Sequence, residues 1–210
     1  QLSLNLTDIT VTPVHIAFDE ACKSAAERGI RVTGSELVGL IPKQSLLDAA
    51  DFFLKRQQRS LGISESEKMK IAIKSLGLDD LRPFDPKKKV IEYMLEEPGA
   101  ERLVSMDLKK FTEETAGESP APGGGSVGAY VGALGAALGT MVANLSAHKR
   151  GWDDKWDQYS EWAVIGEKHR NELLYLVDED TRAFDRILAA FGLPKGSDAE
   201  KAARAKAITE

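Results

Sequence analysis

One stretch limits what this chain can fold into. From Ser119 to Ala147 there is no Asp, Glu, Lys or Arg, although 29% of the 210 residues are charged. It opens as Ser119-Pro120-Ala121-Pro122-Gly123-Gly124-Gly125-Ser126. Pro120 and Pro122 hold the backbone extended and offer no N–H, while three successive glycines allow conformations closed to other residues. Ser126 stands where a helix can begin and reads as its N-cap. Beyond it Gly128, Gly132, Gly135 and Gly139 recur at steps of four, three and four, so they share one helical face. Each glycine costs a helix interior about 1 kcal/mol relative to alanine. A face carrying four of them predicts close approach of another backbone or a ligand. A glycine loop opening a helix also presents unpaired N–H groups, a place for a carboxylate or phosphate.

Three readings compete for the stretch: a packed core helix, a ligand loop feeding a bundle helix, and a membrane span. About 20 apolar residues suffice for a span. This run, however, is mostly Ala and Gly, carries Asn144 and Ser146 near its end, and has no second span beside it. The expectation is no membrane span.

The net charge of −5, with both signs interspersed, argues against nucleic acid as a partner. The single cysteine, Cys22, excludes an internal disulfide and a cysteine-based zinc site, and no metal-ligand spacing is visible. No signal-peptide pattern opens the chain, so the expected setting is cytoplasmic. The chain starts at Gln1 inside an alternating pattern and stops at Glu210 inside a helical one, so it reads as part of a longer polypeptide.

Leu2, Leu4 and Leu6 alternate with Gln1, Ser3 and Asn5, the period of a half-buried strand. Thr12 and Pro13 then open a helix that Gly29 closes. A second strand is expected over 30–33 and a third over 37–41, interrupted by Gly34-Ser35-Glu36, with a helix after Pro42. That order predicts an α/β subdomain. Helical patterns follow over 65–76 and 86–95, and Glu96-Glu97-Pro98-Gly99-Ala100 marks a linker. Lys87-Lys88-Lys89 reads as a solvated turn or, alternatively, a site for an anionic tail. Asp107 can cap a short helix that Gly117 stops.

A long helix is expected over 154–191. Trp162, Gly166, His169, Leu173, Leu176, Asp180, Phe184, Ile187 and Phe191 follow its three-and-four spacing. His169 and Asp180 thus fall in a mostly apolar stripe. A lone buried carboxylate is costly, so Asp180 should be paired, hydrogen-bonded or functional.

Several ordered motifs resemble one family. Ser119 to Ser126 followed by Met141-Val142-Ala143-Asn144-Leu145, then Leu176-Val177-Asp178-Glu179-Asp180-Thr181-Arg182-Ala183-Phe184 and Leu193-Pro194-Lys195, look like the formiminotetrahydrofolate cyclodeaminase domain. Upstream, Asn5-Leu6-Thr7-Asp8, Thr12-Pro13 and Val32-Thr33-Gly34-Ser35-Glu36-Leu37-Val38-Gly39-Leu40-Ile41-Pro42 resemble the second half of glutamate formiminotransferase. The two resemblances stand in the order of the fused enzyme. They imply an α+β chain in two parts: a sheet-and-helix transferase subdomain over 1–97, a linker over 98–104, and an incomplete all-α cyclodeaminase bundle over 105–210.

The resemblance implies tetrahydrofolate as the one-carbon carrier, N-formiminoglutamate as donor, a polyglutamate tail as a possible handle, and a homo-oligomer. Ring closure requires a base near folate N10 and an acid for the departing ammonia. A carboxylate withdrawn from water can move such protons near neutral pH. Asp180 is the candidate, with Asp178 the alternate; two positions apart on a helix they lie roughly 160° from each other. Gly123, Gly124, Gly125 and Ser126 are candidate donors to substrate, and Lys149 and Arg150 are candidates for carboxylate recognition. Asn5, Gly34 and Glu36 could line part of a folate groove. The transferase family's catalytic histidine belongs to a preceding subdomain, and His15 does not replace it. Two alternatives remain: a methenyltetrahydrofolate cyclohydrolase, and a non-catalytic folate-binding or assembly module.

Overall fold

The computed structural model describes residues 2–95 and 103–209. Most of the expected linker at 98–104, together with Gln1 and Glu210, therefore lies outside the described residues. The described residues form helices α1 (Val14–Ala26), α2 (Lys43–Arg56), α3 (Glu65–Ser75), α4 (Pro86–Lys89), α5 (Ile91–Leu95), α6 (Leu108–Thr115), α7 (Gly124–Ala147), α8 (Trp156–Phe191) and α9 (Asp198–Thr209). The chain divides into two compact units, one combining 1–98 with 139–167 and the other 99–138 with 168–210.

In the first unit α2 and α3 carry the core. Leu46, Ala49 and Ala50 of α2 pack with Met69, Ala72 and Ile73 of α3, closed by Ile41, Leu76 and Val90. Their spacing is the apolar stripe of an amphipathic helix. Gly29 ends α1 with φ +68°, and the following N–H of Ile30 bonds back to the Ala25 carbonyl, a Schellman stop. α2 ends the same way without a glycine: Gln58 sits at φ +53° and the Arg59 N–H reaches Leu54 O at 2.9 Å.

The expected strands are the main correction. Among the described residues no strand forms, and one parallel bridge, Ile41 with Val90, is the sheet-like pairing present. A strand needs a neighbour to take its backbone hydrogen bonds. The segments 2–6 and 30–33 find none here, and Leu2, Ile30 and Val38 stay exposed. The bridge also splits the single helix expected over 86–95: Val90 turns extended between α4 and α5 to pair with Ile41.

In the second unit α6 starts where expected, with Asp107 Oδ1 accepting the Lys110 N–H at 2.8 Å. Ala133, Val177, Ala190 and Leu103 are among its buried apolar residues, and Phe111 packs on Tyr130. Helix α7, which belongs to the second unit up to residue 138 and to the first from 139, is long and apolar enough to cross a membrane by length and composition. Val131, Leu134, Leu138, Met141, Val142 and Leu145 leave one of its faces exposed.

Candidate functional site

Helix α7 begins at Gly124, so Ser126 lies inside its first turn and is not the cap residue the sequence suggests. The first backbone bond of the helix runs from Val127 N–H to Gly123 O at 3.1 Å. By helix geometry the N–H groups of Gly124, Gly125 and Ser126 then lack intrahelical acceptors. Asp180 of α8 supplies one. Its Oδ2 accepts the Ser126 N–H at 2.8 Å and lies 3.0 Å from the Ser126 hydroxyl. That hydroxyl also lies 2.9 Å from the Val177 carbonyl, so its single proton is shared between two acceptors. Ser126 is fully buried, while Asp180 is half-buried. A carboxylate at a helix N-terminus is favoured by the dipole as well as by the hydrogen bonds.

Gly125 makes this possible. A Cβ there would run into Asp180 Oδ1, with Oδ2 only 2.8 Å away. The close approach expected of the glycine stripe therefore occurs one turn early. Along the stripe, Gly132 meets the Leu173 side chain at an ordinary 3.4 Å, and Gly128, Gly135 and Gly139 have open space where a Cβ would be.

Asp178 takes a different place. It is 9% exposed, more deeply buried than Asp180. Glu179 between them is bound by Arg186 and Arg182, whose hydrogen bonds hold its carboxyl below the usual range. His169 is neither buried nor in a core: it is exposed and 3.3 Å from Glu172. Other apolar members of its stripe, Trp162, Leu176, Phe184, Ile187 and Phe191, are exposed too. The buried side of α8 instead runs through Ser160, Ala163, Val177 and Ala190.

The remaining candidates lie in the first unit. Lys149 Nζ stands 4.0 Å from the Trp152 ring centroid, a cation–π contact. Arg150 lines a polar cleft of about 330 Å³ with Gln57, Gln58, Arg59, Ala147, His148, Asp153 and Trp156. Gly34 packs on the end of α3, where a Cβ would come 3.0 Å from that of Asp80, and Ser35 N–H bonds Gly77 O. Glu36 lies 3.5 Å from Arg82, and Asn5 is exposed. His15 is buried against Phe52, with burial pushing its pKa down, and its Nδ1 is without a partner among the described residues. Sequence reasoning missed the Gly125–Asp180 contact because 54 positions separate Ser126 from Asp180. The one signal was an acid in an apolar stripe.

Comparison with known proteins assigns the class and then the family. Residues 1–96 match the model described as Formiminotransferase domain, and residues 107–210 match the one described as Formiminotransferase-cyclodeaminase. Formimidoyltransferase-cyclodeaminase from Gallus gallus is 39% identical over 213 residues, covering 100% of this chain and 39% of that protein. The counterpart from Mus musculus is 40% identical over 211 residues, with the same coverage of 100% and 39%. Methenyltetrahydrofolate cyclohydrolase from Methylorubrum extorquens is 39% identical over 103 residues, 49% of this chain and 50% of its own. A transferase-type segment is thus followed by a cyclodeaminase-type segment. The chain belongs to the formiminotransferase–cyclodeaminase family, and it spans 39% of the length of the first-named relatives.

Proposed function

We propose that this chain serves folate-dependent histidine breakdown, in an enzyme that passes a formimino group from N-formiminoglutamate to tetrahydrofolate. The same enzyme then closes 5-formiminotetrahydrofolate to 5,10-methenyltetrahydrofolate with loss of ammonia. The observation that carries the second step is the Asp180 carboxylate lying across the glycine-opened end of α7.

In our reading Oδ2 is held by Ser126, and Oδ1, above Gly125, is the atom that handles protons. Folate N10 attacks the formimino carbon, and Asp180 removes the N10 proton as the new C–N bond forms. The formimino nitrogen, protonated at the outset as an amidinium, takes this proton, the C–N bond to it breaks, ammonia leaves and the positive charge stays on the methenyl bridge. The N–H groups of Gly124 and Gly125 supply donors to the pterin or glutamate moiety. Gly123 sets the turn into the helix. Asp178, on another side of α8, is the alternate base. Lys149 and Arg150 offer cations to a folate carboxylate or its polyglutamate tail. Asn5, Gly34 and Glu36 border the transferase substrate.

We further read 1–97 as a transferase subdomain of α/β type, 98–104 as linker and 105–210 as the cyclodeaminase bundle. The Ile41–Val90 bridge supports the α/β assignment as a seed of parallel pairing. The exposed apolar face of α7 is open to bundle packing or homo-oligomerisation, and the setting in our reading is cytoplasmic, without a membrane span.

The test extends the reading frame beyond both termini and supplies the product with 5-formiminotetrahydrofolate. Ammonia release together with methenyl absorbance is the expected result. Hydrolysis of methenyltetrahydrofolate without ammonia production would favour the cyclohydrolase reading, which the Methylorubrum match keeps in view. Folate binding without either turnover would favour the non-catalytic module.

A further inference from the structure

The loop between α2 and α3 lies in the segment matched by the transferase model, yet its polar contacts go to the segment matched by the cyclodeaminase model. Ser60 N–H donates to His148 Nε2 at 3.1 Å, and Leu61 N–H donates to Ser160 Oγ at 2.9 Å. Asn144 Nδ2 donates to Gly62 O at 2.7 Å. Gly62 lies on the α8 backbone so closely that a Cβ would overlap Ala163. Ser60 is 1% exposed, and its hydroxyl accepts the Gly62 N–H. All of these residues belong to the first unit. Three consecutive residues, 60–62, thus place their backbone on α7, the turn that follows it and α8 of the other segment, through side chains of three residue types.

The contact to His148 differs from the rest in having two states. An imidazole nitrogen can accept a hydrogen bond only while it carries a lone pair, so Nε2 must be bare and the ring proton must sit on Nδ1. A proton added at Nε2 turns the acceptor into a donor facing a donor. The buried Ser60 N–H would then face a donor in place of its acceptor. We infer that the loop 59–62 is a detachable clamp between the two segments, held shut by the uncharged His148 ring and released when that ring is protonated.

The surroundings of the ring suit that role. His148 itself is solvent-accessible, so protons can reach it. The charged groups around it are Arg59 from the loop and Arg150 and Asp153 from the turn before α8, where Trp156 adds no charge. Partial burial first, and Arg59 second, hold the ring's pKa below its ordinary 6.5. A depressed histidine pKa means that the closed form binds fewer protons than the open form. Closure is therefore complete above the open-state value and weakens as pH falls from there.

Hydrogen exchange on the full chain tests the clamp, read in the peptide spanning 57–63 and corrected for the intrinsic pH dependence. Protection of this loop should fall as the pH drops below the open-state value, by at most about tenfold per pH unit. Protection of α3 should hold over the same range and serves as the internal reference. His148→Gln keeps an acceptor near Nε2 that does not titrate, so its loop should remain protected as the pH is lowered. Ser160→Ala removes a second contact; its loop should be less protected at every pH but keep the same pH step. A loop whose protection is independent of pH would overturn the inference. So would an equal loss in His148→Gln, or a loss in α3 matching that of the loop.

Discussion

Gly125 and Gly62 are both positions where a Cβ would collide with α8, and they differ in what they bring against that helix. At Gly62 the partner is backbone at Ala163, and the polar groups nearby are consumed in holding a loop. At Gly125 the partner is a carboxylate, and only one of its oxygens is held by Ser126. The same device, a missing side chain that admits a neighbour, serves attachment in one place and leaves an acid with spare capacity in the other. Gly62 and Ser60 are both buried, whereas at the other place Gly125 is exposed and Asp180 half-buried over a fully buried Ser126.

Substitutions at the two glycines should separate these roles. Gly125→Val has the largest expected effect: no rotamer avoids the Asp180 carboxylate, so cyclodeaminase turnover of the extended enzyme should fall by about a hundredfold or more. Ammonia release measures it. Gly62→Ala should cost about 1–3 kcal/mol, as overpacking does, read from the denaturant midpoint. Turnover by the fraction that stays folded should change little. Ser126→Ala comes next. It removes the hydroxyl shared by Asp180 and Val177 in a fully buried place and should cost about 1–2 kcal/mol in the same measurement. Gln58→Gly relieves a left-handed backbone and should stabilise by about 0.5–1 kcal/mol, provided the loop keeps its place. If it destabilises, the Gln58 side chain has a role beyond the turn.

Helix positions were legible in the sequence where a local signal fixed them. Gly29 stopped α1, Asp107 capped α6, and the α8 pattern ended at Phe191 as expected. Strands were not, because the period of Leu2, Leu4 and Leu6 reports a face to bury and says nothing of which neighbour supplies the hydrogen bonds. The stripe on α8 misled for a related reason. Spacing groups residues on a face, but the face that became buried is the one with Ser160 and Ala163, small enough for Gly62 and its loop. Asp180 emerged from the sequence only as an acid out of place. Its partner Ser126 was singled out separately as a cap, and nothing local joins residues 54 positions apart. His148 went unnoticed beside Lys149 and Arg150, whose charges drew the attention.

The most direct test of the account is Asp180→Asn in the extended enzyme, with turnover and folate affinity measured on the same preparation. Asparagine keeps an oxygen for the Ser126 N–H but cannot act as a base. Turnover should fall by about 10²–10⁴-fold while folate affinity stays within a few-fold. Undiminished turnover would contradict the account: Asp180 would then be a helix cap alone, and the proton chemistry would belong elsewhere, with Asp178 the next carboxylate to change.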